Sequence, residues 1–136
     1  MADRFFVHGR PRGKARPRFA NGHTYTPRAT INYEREIATS YIAHGGGVHE
    51  GQCTVKITAY FSIPKSWPKY RKLEVISEAI MPQTKPDIDN IIKVVLDGLN
   101  GVAYYDDKQV VRVAAEKRYS RDTEGLDIQV YGHDQG

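Results

Sequence analysis

The segment between Pro86 and Gly101 constrains this chain more than any other stretch. On a helical wheel of about 100° per residue, Ile88, Ile91, Ile92, Val95 and Leu99 fall on one side within an arc of roughly 100°. Asp89, Asn90, Lys93, Asp97 and Asn100 fall on the other. Asp87 stands at the N-terminal end, where a carboxylate can meet free backbone N–H groups, and Gly101 follows as a C-terminal stop. The pattern predicts a helix from Asp87 to Asn100 with one buried and one polar face.

The remaining elements follow from alternation and breakers. Arg4–His8 is a β-rich run ending at Gly9, and Gly9–Gly22 (GRPRGKARPRFANG) has no apolar period and reads as a loop. Thr26 as N-cap and Pro27 in the first helical position open a second helix. Its stripe is Ile31, Ile37, Ala38, Tyr41 and Ile42, and it ends before Gly45-Gly46-Gly47. Cys53–Ile63 alternates as a strand, with Val55, Ile57, Ala59, Phe61 and Ile63 on one face. Residues 64–72 read as a loop and 73–81 as a helical turn or two. Val110–Tyr119 and Leu126–Tyr131 read as two closing strands arranged as a hairpin. The expected fold is α+β: one domain over 1–136, a small mixed sheet against two main helices, in a two-fold homodimer.

Composition narrows the function. At 136 residues, with 40% apolar and 26% charged side chains, the chain is an ordinary globular one. No run approaches the ~20 apolar residues of a membrane span, and the N-terminus has no signal-like apolar region. A single cysteine, Cys53, excludes an intrachain disulfide and a cysteine-based zinc site, and a reducing cytoplasmic setting is expected. His8, His23, His44, His49 and His133 lack zinc-ligand spacing. The net charge is +4 and unevenly spread. Residues 1–35 carry eight Arg and Lys against Asp3 and Glu34; residues 86–107 carry Asp87, Asp89, Asp97, Asp106 and Asp107 against Lys93. A basic region beside an acidic cluster suits a polyanion whose phosphates also meet a metal ion.

Two readings of the helix compete. In one, Asp87 is an N-cap, and Asp89–Lys93 and Lys93–Asp97 are surface i,i+4 pairs worth tenths of a kcal/mol each. In the other, the chain after Gly101 returns along the helix and brings Asp106-Asp107 near Asp89. Crowded carboxylates raise one another's pKa, and a divalent cation relieves them. Mg²⁺ takes one or two carboxylates together with water and substrate phosphate, which is the arrangement for metal-assisted phosphodiester cleavage. Lys93 would then be a fixed positive charge at the phosphate. An EF-hand is excluded, because counting from Asp87 its required Gly and Glu positions hold Ile92 and Gly98. No GxxxxGK[ST], GxSxG or GxGxxG motif occurs, and no small-molecule cofactor is expected.

KPDIDNIIKVVLDGLNGVAYYDDKQVV, Lys85 to Val111, resembles the signature of the RusA-type Holliday-junction resolvases, through Asp87, Asp89, Asn90, Lys93, Asp97, Asp106, Asp107, Gln109 and Val110. The Gly/Pro/Arg loop GKARPRF and the YTP turn are similar to family members as well. The resemblance implies a homodimeric endodeoxyribonuclease that uses Mg²⁺ or Mn²⁺, recognises branched DNA and nicks four-way junctions symmetrically. It implies Asp87, Asp89 and Asp107 as metal-holding catalytic carboxylates and Lys93 as the essential lysine, with Asp106 and Asp97 as further candidates. Some members have a basic residue directly before the first Asp; here Pro86 stands there and Lys85 precedes it. The rival reading is a non-catalytic branched-DNA-binding module.

Arg10, Arg12, Lys14, Arg16 and Arg18 form an acid-free basic run and, with Lys85, are the expected DNA-backbone contacts. Lys65, Trp67, Lys69, Tyr70, Arg71 and Lys72 mix charge with rings that can stack on bases, and Trp67 reads as the residue pinning that loop to the core. Of Tyr104 and Tyr105, one is expected in the core and one toward DNA or a partner.

Overall fold

The structure is a computed structural model that describes residues 2–77 and 79–132; His133 lies outside them. Strand β1 is Ala2–His8, followed by a short hairpin of β2 (Arg18–Ala20) and β3 (His23–Tyr25). Helix α1 is Arg28–Ala43, strand β4 is Cys53–Ser62, helix α2 is Lys69–Ile76 and helix α3 is Ile88–Leu99. A 3₁₀ turn at Asp107–Gln109 leads into β5 (Val110–Ser120), and β6 (Gly125–Gly132) closes the chain's described part. This is an α+β fold. No helix among the described residues is long and apolar enough to cross a membrane.

The main sheet has the order β1-β6-β4-β5. β4 and β5 run parallel, while β6 is antiparallel to both β1 and β4. The expected β5–β6 hairpin is therefore not formed, since β6 takes the slot between β4 and β1. A parallel β4–β5 pair needs a long crossover, and here it is the stretch that carries α2 and α3. The turn between β5 and β6 then passes the end of β4. There the Glu124 carboxylate accepts from the Ser62 backbone N–H at 3.1 Å and from Arg10 at 3.0 Å. β6 makes its strand-to-strand bonds with β1 on one side and β4 on the other.

Alternation puts Phe5 and Val7 of β1, Val55, Ile57, Ala59 and Phe61 of β4, and Leu126, Ile128 and Val130 of β6 on one buried face. α1 and α3 cover it. The face α1 buries is Thr30, Tyr33, Ile37 and Tyr41, not the stripe read from its aliphatic residues; Ile42 is exposed. The two tyrosines follow the 3.6-residue period more closely than Ile31 and Ile42 do. On α3 the buried set is Ile91, Val94, Val95, Gly98 and Leu99, and Ile88 is largely exposed. The shift toward Val94 and Gly98 comes from the close approach of α1. A Cβ on Gly98 would lie 3.1 Å from the Glu34 carbonyl oxygen and from Ile37.

Three local readings also change. Arg18–Ala20 and His23–Tyr25 form a hairpin inside the stretch read as loop and beyond it, turned by Asn21 and Gly22. Pro27, rather than Thr26, occupies the N-cap position of α1, without a side-chain cap. α2 begins at Lys69, earlier than expected, because Pro68 is well placed just before a helix start. Trp67 does pin this region: it packs edge-on against Tyr119 with centroids 5.1 Å apart, and the Arg71 guanidinium lies over its ring, 4.2 Å from the centroid.

Candidate active site

α3 begins as the sequence predicts, with Asp87 in the N-cap position, but the Asp87 side chain makes no capping bond. Its backbone carbonyl accepts from the N–H groups of Asn90 and Ile91, both at 3.1 Å. The carboxylate is left exposed at the positive end of the helix dipole, where an anion is stabilised. Asp89 stands in the first turn, also exposed. Lys93 follows one turn later, exposed as well. Among the described residues, the side chains of Asp87, Asp89 and Lys93 have no hydrogen-bond or ion-pair partner. The surface pairs Asp89–Lys93 and Lys93–Asp97 are thus not formed.

Asp97 has a different partner. Lys14 Nζ reaches its carboxylate at 3.1 Å and that of Glu34 on α1 at 2.6 Å. Burial works against the Lys14 charge, but these two hydrogen bonds outweigh it and raise the ammonium pKa above its ordinary value. The backbone joins in: Lys14 N–H donates to the Asn90 carbonyl at 2.9 Å. At Gly13 a Cβ would sit 2.9 Å from the Cβ atoms of Asn90 and Pro86, so only glycine lets the loop lie this close to α3. Lys14 thus clamps the loop to α1 and α3 through two carboxylates. Arg10 is engaged too, by Glu124 and by the Phe61 ring 5.3 Å away.

The clamp positions the rest of the loop. Arg12, Gly13, Lys14 and Arg16 meet Lys85, Pro86, Asp87 and Asn90 around an open groove of about 520 Å³. The Lys85–Pro86 peptide is cis. Arg12, Arg16 and Lys85 are exposed here, and Arg18 continues outward on β2. Asn90 and Asp97, the strip the loop covers, lie only about 40–100° around the helix from Asp89 and Lys93. Guanidinium groups thus stand beside unpartnered carboxylates.

The second acidic pair is built by the turn after α3. Tyr104 is fully buried and donates its hydroxyl to the Leu96 carbonyl at 2.7 Å, which ties the returning chain to the helix. Tyr105 is 66% exposed, so the two tyrosines divide between core and surface. Asp106 caps the 3₁₀ turn, its Oδ1 accepting from Lys108 N–H at 2.9 Å. Gln109 completes the cap. Its Oε1 accepts from the N–H groups of Tyr105 and Asp106 at 2.8 and 3.1 Å, and its Nε2 donates to the His49 and Gly51 carbonyls at 2.9 and 3.0 Å. Gln109 stands in the motif without an assigned role; its four hydrogen bonds make it the anchor of this turn. The Lys108 N–H and a hydrogen bond with Asp107 hold the Asp106 carboxyl below its ordinary pKa. That shared hydrogen bond, with the charges of Asp106 and Asp97, pushes Asp107 above its own.

The helix carboxylate whose charge reaches Asp107 is Asp97. Among the described residues, no group of three or more His, Cys, Asp and Glu side chains is placed to hold one metal ion. The donor set fits Mg²⁺ in a more limited way. Asp87 and Asp89 offer hard, unpartnered oxygens, as suits an ion that commonly takes one or two carboxylates and completes its shell with water and substrate phosphate.

The fold is an α+β one, a mixed sheet covered on one face by two helices, with aspartates and a lysine that have no polar partner among the described residues beside an arginine-lined groove. Comparison with known proteins makes the class specific. Residues 8–131 match the family model of the endodeoxyribonuclease RusA, and the chain belongs to that family. It is 32% identical over 126 residues to the uncharacterized protein YqaN of Bacillus subtilis (strain 168), covering 88% of this chain and 89% of that one. As a RusA-family protein, the chain is by class an endodeoxyribonuclease.

Proposed function

We propose that the protein is a Mg²⁺-dependent Holliday-junction resolvase, active as a two-fold homodimer, that nicks four-way DNA symmetrically during recombination and repair. The observation that carries this reading is the set of unpartnered charges on α3, Asp87, Asp89 and Lys93, beside the groove of Arg12, Arg16 and Lys85. Uncompensated charge of both signs on one rigid helix favours a ligand that supplies the missing partners. A metal ion with a phosphodiester does so.

The family resemblance assigns Asp87, Asp89 and Asp107 to Mg²⁺ or Mn²⁺, and of these Asp87 and Asp89 are the exposed pair at the start of α3 that would hold the ion as the chain stands. Bound there, the ion supplies Lewis acidity and neutralises charge on the scissile phosphate. Lys93 adds a fixed ammonium at the non-bridging oxygens, where negative charge grows in the transition state. Arg12, Arg16, Arg18 and Lys85 grip neighbouring phosphates, which sets register without reading sequence. Asp106 and Gln109 hold the turn that presents Asp107. A two-fold dimer would offer two equivalent sites to a junction of approximate two-fold symmetry.

The test is cleavage of a labelled four-way junction and a matched linear duplex, with Mg²⁺ or chelator, by wild type and Asp89→Asn. Paired nicks in the junction alone, lost with chelator and reduced about a thousandfold in the variant, are expected. Junction binding without cleavage in either Mg²⁺ or Mn²⁺ would leave a branched-DNA-binding module instead.

A further inference from the structure

The β2–β3 hairpin has no core of its own. Every residue from Arg16 to Tyr25 is exposed, and the two strands pair only with each other. Asn21 and Gly22 turn it through left-handed backbone, with φ of 52° and 79°, the two-residue turn whose twist suits a hairpin. A ribbon this short is marginal in water by itself. It nevertheless holds out Phe19, 73% exposed and the most exposed large apolar side chain among the described residues. Side chains alternate along a strand, so Phe19 and Thr24 share one face, and Arg18 and Tyr25 share the other.

What surrounds the ring selects its partner. No carboxylate occurs in the sequence between Asp3 and Glu34, while Arg16 and Arg18 stand just before Phe19. Arg16 lines the groove that Asp87 also lines. Phe19 is three residues further on, about 10 Å of extended chain at ~3.3 Å per residue. An exposed flat ring at the end of a segment that carries two guanidinium groups matches a nucleic acid whose base is open to stacking and whose phosphates lie nearby. An intact duplex offers the guanidinium groups their phosphates but keeps its bases stacked, so it gives the ring nothing.

We propose that this hairpin is the element that distinguishes branched from linear DNA: Phe19 stacks on a base unstacked at the branch point while Arg16 and Arg18 hold the flanking phosphates. The assignment rests on the junction reading above and adds to it the group that senses the branch.

The experiment uses a four-way junction with 2-aminopurine at the branch point and a duplex with 2-aminopurine in the same sequence context, in chelator so that no cutting intervenes. Wild type, Phe19→Ala and Phe19→Trp are compared by fluorescence and by equilibrium binding. Wild type changes the branch-point emission and leaves the duplex emission alone. Phe19→Ala abolishes that change and weakens junction binding about tenfold, the usual scale for losing one stacked base, with duplex binding within about twofold. Phe19→Trp restores both, and its indole emission responds to the junction and not to the duplex. Equal junction affinity in Phe19→Ala and wild type overturns the proposal, as does an equal loss on junction and duplex. Conversion of a dimer to monomers by Phe19→Ala in sedimentation velocity also overturns it, by giving the ring to a second copy. If wild type cuts junctions and Phe19→Ala cuts them equally well, the hairpin assignment alone falls. If wild type does not bind junctions, the resolvase reading falls with it.

Discussion

The two ends of α3 carry the same residue types and treat them in opposite ways. At the N-terminal end, Asp87, Asp89 and Lys93 are exposed and unpartnered. Toward the C-terminal end, Asp97 is bound by Lys14, and Lys14 by Glu34 and by the Asn90 carbonyl. One acid–base set builds the protein and the other is left open for something outside it. The difference is set by the loop from Gly9 rather than by the helix. The clamp at Lys14 closes one strip of α3 and carries Arg12 and Arg16 to the edge of the strip that stays open.

The comparison breaks most sharply at the two lysines. Lys93→Ala removes a positive charge with no polar partner among the described residues. Junction cleavage is expected to fall about 100- to 1,000-fold, the scale of losing one donor to a developing anion. Stability should stay within about 0.5 kcal/mol of wild type. Single-turnover cleavage and urea unfolding measure the two separately. A large loss of stability with an unchanged cleavage rate would reverse the assignment of the two ends.

Lys14→Met is the converse. It leaves Glu34 and Asp97 facing each other without the cation between them. Breaking a fully buried pair costs 3–5 kcal/mol, and this partly exposed site should cost about 1–2 kcal/mol. Thermal unfolding should then drop by about 5 °C. Cleavage should fall less than in Lys93→Ala and do so through weaker DNA binding, since the arginine loop loses its anchor. A stable Lys14→Met variant that no longer binds DNA would make Lys14 a DNA contact after all.

What could be read from the sequence divides along similar lines. α3 was legible because an apolar period, a proline boundary and a C-terminal glycine all agree within one local segment. Even so, the wheel placed Ile88 inside and omitted Val94 and Gly98, because the buried strip is fixed by how closely α1 approaches. The basic loop was legible as charge but not as roles. Arg10 and Lys14 find their partners at Glu124, Glu34 and Asp97, residues distant in sequence, while Arg12 and Arg16 do not. The strand order was hidden for a comparable reason: neither alternation nor turn composition reveals that β6 inserts beside β4. The Asp106-Asp107 pair could be seen, but its division of labour could not. One member caps a turn anchored by Gln109, and the other shares a hydrogen bond with the first that raises its own pKa.

Asp3 sharpens the comparison at its small end. It is an aspartate like Asp87 but almost wholly buried, 7% exposed. Burial opposes its ionisation, yet hydrogen bonds from His49 Nε2 at 2.9 Å, the Tyr41 hydroxyl at 3.0 Å and His44 Nε2 at 3.3 Å outweigh it. They leave the carboxyl below its ordinary value of 3.8. A carboxyl with a lower pKa in the fold than in the unfolded chain stabilises the fold while ionised. That contribution is complete above the unfolded value and disappears as pH falls through the folded one. Asp3→Asn should therefore lose about 1 kcal/mol at pH 7, and the gap from wild type should narrow below about pH 4. Asp87→Asn should lie within about 0.5 kcal/mol of wild type at pH 7, since among the described residues its side chain makes no hydrogen bond or ion pair. Urea midpoints at pH 7 and pH 3 for the three proteins decide it. A gap for Asp3→Asn that persists undiminished at pH 3 would mean that the shape of the side chain, rather than its charge, holds His44, His49 and Tyr41 together.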